Sequence, residues 1–333
     1  MIKRNVILLF FISITTSNLV IAQNNLHKIP IGDFKTSGGG IIKNCTIGYR
    51  TLGKLNANKS NVVLWLTWFS GTSEEIAKNT VPTLVDTSQY YVIVVDALGN
   101  GVSSSPSNTK NFPVISIRDM VNTQHELLLK HLNIKHVHSV AGISMGGMQT
   151  LEWLVAFPEF MDKAVSIVGT PKQSFYDLLL WQTELEMIKH ALKSGDKDEI
   201  EFTRKRLADI DIMHLYTPSY FVRTEKTDNL KPFLAEMYKE RNDISNLGSQ
   251  IEAMMGQDIY KSSGKNTSEI KDVIKAKVLL IVSLQDHMVN PQSCIELSKH
   301  ISCQLETFDC DCGHNLFSCG SEKAKEIIGS FLK

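Results

Sequence analysis

The chain has no surplus of charge: lysine plus arginine number 35, and aspartate plus glutamate number 35. Without a net field it is not drawn to nucleic acid or to an anionic membrane. It also lacks the roughly 20-residue apolar run that a membrane-spanning helix needs. No glycine-rich stretch has the lysine of a phosphate-binding loop or the spacing of a dinucleotide fingerprint; "DALGNGVSSSPS" (96–107) reads as a structural loop beside a pocket. The spacing of cysteines and histidines fits no structural zinc pattern, so no metal is expected. There is no internal repeat and no low-complexity tract. What remains is an enzyme-sized chain, 43% hydrophobic, with a small-molecule partner and no cofactor.

The first residues, "MIKRNVILLFFISITTSNLVIAQ", read as an export signal over 1–22. Lys3 and Arg4 supply the charged start, Val6 to Ile14 the apolar stretch, and Val20 and Ala22 the small-residue cleavage pattern before Gln23. Polar Thr15 to Asn18 cut the apolar stretch too short for a span. No cysteine stands directly after the cleavage point to take a lipid, so the expected product is released, secreted or periplasmic. In a glycosylating host Asn44, Asn58 and Asn266 are sequons. Six cysteines make disulfides possible in an exported chain. Cys303 and Cys310 are too far apart along a strand to pair, and either Cys310 or Cys312 with Cys319 is sterically easier.

Beyond the signal, strands and helices alternate. "NVVLWLTW" (61–68), "YYVIVVDAL" (90–98), "HVHSVAGI" and "KAVSIVGT" (163–170) are buried-strand runs. "IRDMVNTQHELLLKHL" (117–132) has helical spacing, with Met120, Leu127, Leu128 and Leu132 on one side. This predicts an α/β fold, a mostly parallel, doubly wound sheet. About a hundred residues (171–271) are instead a series of amphipathic helices, and the alternation resumes at "KVLLIVSLQD" (277–286). The expected organisation is a core of 23–170 and 272–333 interrupted by a helical cap at 171–271.

Gly142-Ile143-Ser144-Met145-Gly146 stands between a strand and a helix. Such a sharp reversal strains the central residue, and side chains two positions either way would collide. It lifts a serine hydroxyl to the carboxyl edge of the sheet, where the Met145 N–H and the helix dipole can stabilise an oxyanion. Gly147 leaves room for close helix–strand packing. A serine nucleophile needs a base and an orienting carboxylate, following in the order Ser, Asp, His. Asp286 ends the strand "VLLIVSLQD", and His314 lies in the loop "CDCGHNLF" after the next one. Asp309, Asp311 and His287 are the rivals, and His125, His131, His136 and His138 read as packing or surface residues. The second oxyanion donor is expected at the Phe69 N–H, in the loop after "NVVLWLTW", with Trp68 and Phe69 walling the pocket.

With these residues in place the chain resembles the homoserine O-acetyltransferase branch of the α/β-hydrolase superfamily. The likeness lies in "YRTLGKLNANKSNVVL", "YYVIVVDALGNG", "FPVISIRDMV" and above all "AGISMGGMQTLEW", and spans about residues 38 to 320. It implies an α/β-hydrolase fold, an acyl-enzyme on Ser144 with His314 and Asp286, and a homodimer through the helical insertion. Two positions depart from the branch. Asn315 stands where the transferases carry an aspartate facing the substrate amine. Ile210 stands where they carry an arginine facing the amino acid's carboxylate. A zwitterionic acceptor would thus lose both charge partners. The expected function is a secreted serine acyl hydrolase of the esterase kind. Its alternatives are an O-acyltransferase moving an acyl group from acyl-CoA to homoserine or another hydroxylated acceptor, and a catalytically silent binding protein.

Overall fold

The computed structural model describes residues 25–239 and 242–333, so the export signal read over residues 1–22 lies outside the described residues. Eight strands form one sheet: β1 (His27–Lys35), β2 (Ile41–Leu52), β3 (Val62–Leu66), β4 (Tyr91–Val95), β5 (Val137–Ile143), β6 (Met161–Ile167), β7 (Lys277–Ser283) and β8 (Cys303–Phe308). They lie in the order β1-β2-β4-β3-β5-β6-β7-β8. β1 and β2 are antiparallel additions at one edge, and every pairing from β4 to β8 is parallel. This is the α/β-hydrolase architecture.

The parallel strands are apolar without interruption because both faces of the sheet are covered. Along β3, Val62, Leu64 and Leu66 enter one core cluster while Val63 and Trp65 enter the other. β7 divides the same way, with Val278, Leu280 and Val282 on one face and Leu279 and Ile281 on the opposite face. The five β3 side chains are fully buried, each contributing about 1.5–3 kcal/mol. That burial makes the centre of the sheet a rigid base for anything mounted on its carboxyl edge.

The expected strand to Trp68 ends at Leu66, because Thr67 turns its hydroxyl to accept from the Ala97 N–H at 3.0 Å. The helical spacing over 117–132 resolves into a helix at Ile117–Glu126 and a wider π-turn at Leu127–His131, with Leu127 and Leu128 fully buried. Ser116 and Asp119 cap that helix reciprocally.

Between β6 and β7 lie the helices Phe175–Ser194, Lys197–Leu215, Pro218–Thr224, Leu230–Met237, Ile244–Met255 and Ile259–Ser263. The first is closed at both ends by sequence: Ser174 and Asp177 form a capping box, and Gly195 at φ 67° ends it. Its inward face, with Leu180, Trp181, Leu185 and Ile188, packs against Ile244–Met255. Gly248 lets the two helices approach closely, since a Cβ there would stand 3.0 Å from the Ile188 side chain. No described helix is long and apolar enough to cross a membrane.

Candidate active site

The Gly142–Gly146 turn joins β5 to the helix Met145–Ala156. Ser144 sits at φ 57°, ψ −120°, a conformation that costs a side-chain-bearing residue on the order of 1–3 kcal/mol. The fold holds it there by donating the Ser144 N–H to the Ile167 carbonyl at 2.8 Å. The flanking glycines are forced by contact. A Cβ on Gly142 would stand 2.4 Å from the Gly146 carbonyl, and one on Gly146 would stand 2.4 Å from the Leu66 carbonyl oxygen. A Cβ on Gly147 would stand 2.9 Å from the Ser166 hydroxyl and 3.0 Å from the Gly169 Cα, so the helix lies close on β6.

The three residues placed in order along the sequence meet in space. His314 Nε2 lies 2.9 Å from Ser144 Oγ, and His314 Nδ1 lies 2.6 Å from Asp286 Oδ2. All three are buried, Ser144 retaining 8% exposure. Asp286 Oδ1 accepts from the Met288 and Val289 N–H groups, each at 2.8 Å. Those two bonds fix the carboxylate and leave Oδ2 for the imidazole. The rivals lie elsewhere: Asp309 accepts from Gln285, Asp311 is paired with Arg223, and His287 is exposed.

The loop after β3 lies beside this turn because Leu66 is in register with Gly142. The sequence points to the Phe69 and Met145 N–H groups as backbone donors. Among the described residues neither N–H has a hydrogen-bond partner, as a site for an oxyanion requires. The neighbouring Ser70 N–H is taken by Gln250 Oε1 at 2.9 Å. Trp68 is half-buried with its indole over Gly71, where a Cβ would stand 2.5 Å from Nε1. The Phe69 ring instead meets Trp181 of the cap edge-on at 5.9 Å.

Several supporting residues carry no signal in the sequence. Gln149 Nε2 donates to the Thr67 carbonyl at 3.0 Å, Gln124 Nε2 donates to Gln149 Oε1, and Trp153 Nε1 donates to Gln124 Oε1. This buried chain of amides fixes the start of the loop after β3 against the helix behind Ser144. Asp177 Oδ1 accepts from the Asn290 N–H at 2.9 Å, tying the cap to the segment that carries Asp286. These contacts join residues 25, 82 and 113 positions apart.

The two positions that depart from the transferase branch are occupied by other contacts. The Asn315 amide donates to the Tyr216 hydroxyl at 2.6 Å. Ile210 packs against the core cluster, and its carbonyl is 2.8 Å from His214 Nδ1. Of the two easier cysteine pairings, the structure forms Cys312–Cys319, with Cα atoms 6.0 Å apart. Cys310 stays a thiol.

A family model for the alpha/beta hydrolase fold matches residues 62–320. The chain belongs to that family. It is 30% identical over 294 residues to the ethyl acetate hydrolase of Pseudomonas veronii, covering 82% of this chain and 84% of that one. A probable esterase of Corynebacterium glutamicum is 38% identical over 176 residues, half of each chain. The homoserine O-acetyltransferase of Methanococcoides burtonii is 36% identical over 178 residues, 46% of this chain and 36% of that one. Among solved structures, the acetyl esterase MekB superposes with a TM-score of 0.84 at 27% identity, covering 92% of this chain and 96% of the other. Within the α/β-hydrolases the chain thus sits in the homoserine O-acetyltransferase-like branch, alongside esterases. It is an acyl-transferring enzyme of that branch, an ester hydrolase or an O-acyltransferase.

Proposed function

We propose that this α/β-hydrolase is a serine esterase that cleaves small acyl esters, acetates foremost, through an acyl-Ser144 intermediate with water as acceptor. The observation that carries the reading is the closed chain Ser144 Oγ–His314 Nε2, His314 Nδ1–Asp286 Oδ2. Ser144 Oγ attacks the ester carbonyl carbon and passes its proton to His314 Nε2. The oxyanion draws on the Phe69 and Met145 N–H groups. Collapse breaks the ester C–O bond, and the alcohol leaves with the proton from His314. Water then attacks the acyl-serine with the same base and releases the acid.

Hydrolysis is favoured over transfer by the acceptor side. Asn315 supplies no charge and its amide is engaged by Tyr216, while Ile210 is aliphatic and half-buried against the core. A zwitterionic acceptor finds no carboxylate or guanidinium at either position. The ethyl acetate hydrolase and the acetyl esterase among its relatives suggest the acyl group. Export belongs to the same reading: cleavage after Ala22 releases the enzyme to a compartment poor in acyl-CoA. The sequence likeness to homoserine O-acetyltransferases, at 36% identity over half the chain, supports O-acyl transfer as the second reading.

Incubation with p-nitrophenyl acetate or ethyl acetate, and separately with acetyl-CoA and homoserine, separates the two. Ester hydrolysis without O-acetylhomoserine is expected. Transfer that outruns hydrolysis would overturn the assignment to hydrolysis.

A further inference from the structure

The catalytic imidazole hangs from a short irregular loop that is braced to the cap on both sides of His314. Upstream, the Asp311 carbonyl accepts from the Thr217 hydroxyl at 2.8 Å and from the Thr217 N–H at 3.3 Å. The Asp311 carboxylate forms a two-pronged pair with Arg223, Nε to Oδ2 at 2.8 Å and Nη2 to Oδ1 at 2.7 Å. Downstream, the Asn315 N–H donates to the Leu215 carbonyl at 3.1 Å, and its side chain donates to Tyr216. All of these cap partners fall within Leu215–Arg223, the stretch that leaves the helix Lys197–Leu215. Gly313, at φ 58°, lies between that stretch and the acid segment. A Cβ there would meet the Leu215 carbonyl at 3.1 Å and the Gln285 carbonyl at 3.3 Å.

Resting on the esterase reading above, we propose that Asp311 is a positioning residue. Through its two-sided contact with Thr217 and Arg223, seating of the cap sets the distance from His314 Nε2 to Ser144 Oγ. Asp311 touches neither the reacting serine nor the imidazole. It acts by fixing the backbone three residues before His314, while Asn315 fixes the backbone one residue after. The pair with Arg223 is open to solvent on the arginine side, with side-chain exposures of 56% for Arg223 and 25% for Asp311. Exposed pairs add little to global stability, so the geometry of the histidine is where its loss is felt. The guanidinium holds the Asp311 carboxyl below the usual carboxylate range, so the pair stays charged at neutral pH.

The test compares Arg223→Met, Asp311→Asn and the conservative Arg223→Lys in the full chain, with wild type and Ser144→Ala as references. Displacement of a reacting group by about 1 Å costs on the order of 100-fold in rate. A fall in kcat of tenfold or more toward that bound is therefore expected for Arg223→Met, with KM within about twofold and partial recovery in Arg223→Lys. A second readout needs no turnover: the low-field proton resonance of the His314 Nδ1–H···Asp286 bond should broaden or move in Arg223→Met and persist in Ser144→Ala. Unchanged kcat and an unchanged resonance in Arg223→Met would overturn the positioning role and leave the esterase reading intact. Hydrolysis that survives Ser144→Ala would instead overturn the esterase reading, with the resonance still deciding the positioning role.

Discussion

Replacing Gly146 by alanine adds one methyl group between the helix that starts at Met145 and the end of β3, just before the loop that carries Phe69. In the native geometry that carbon would stand 2.4 Å from the Leu66 carbonyl oxygen, 3.1 Å from the Leu66 carbonyl carbon and 3.4 Å from the Thr67 carbonyl oxygen. All three are backbone atoms of a fully buried strand end, so no side chain can rotate aside. Ordinary contact begins near 3.4 Å, so the helix start and the donor loop must separate by about 1 Å. Overpacking of this kind costs about 1–3 kcal/mol of stability. The same separation moves the Met145 N–H away from the Phe69 N–H, and a misplacement of about 1 Å at a reacting centre costs on the order of 100-fold. The variant should therefore remain folded and lose kcat far beyond what its Tm predicts. The assay is p-nitrophenyl acetate hydrolysis, normalised to the fraction of serine titrated by a fluorophosphonate, beside a thermal melt. Wild-type kcat with an unshifted Tm would refute the argument, because the clash and the donor geometry would then both be misread.

Gln149→Leu should leave the Gln124 amide without its partner, costing about 1–3 kcal/mol in denaturant unfolding, and should lower kcat because the Thr67 carbonyl loses its tether; an unaltered melt and kcat would count against that network. Glu184, buried in the cap beside Asp211, has its carboxyl pushed up to about 10, chiefly by burial and then by that neighbour. An acid with a raised folded-state pKa contributes stability below the unfolded pKa, near 4.5, and loses it as pH climbs toward 10. Glu184→Gln should thus be more stable than wild type at pH 8 by on the order of 1 kcal/mol or more and show a flatter Tm–pH profile between pH 5 and about 10; parallel profiles would contradict the burial argument. Reduction of Cys312–Cys319, or the double variant Cys312→Ser/Cys319→Ser, should cost about 2 kcal/mol of stability and lower kcat, read by urea unfolding and turnover with and without dithiothreitol; full activity on reduction would separate the disulfide from the histidine loop.

The strands that build the centre of the sheet are legible in the sequence because parallel strands covered on both faces carry unbroken apolar runs, as in β3 and β7. β1 and β2 are not. β1 alternates between half-buried and exposed residues with only Phe34 buried, β2 is mixed, and two irregularities between Pro30 and Phe34 break the register that a regular alternation would reveal. Ser144, Asp286 and His314 are legible because each sits at the end of an element in a fixed order. Gln149, Gln250, Asp177 and Asp311 are not, because their contacts cross the sheet or join cap to core, and nothing local marks a glutamine that will hold a carbonyl 82 positions away.

In the proposed reaction the acyl group passes through Ser144. The direct measurement is peptide mass spectrometry after rapid acid quench of the enzyme mixed with excess p-nitrophenyl acetate. One acetyl group on the peptide containing Ser144, appearing within the burst and absent in Ser144→Ala, is the predicted result. Steady hydrolysis with that peptide unmodified at every time, or with the acetyl group on another residue, would contradict it.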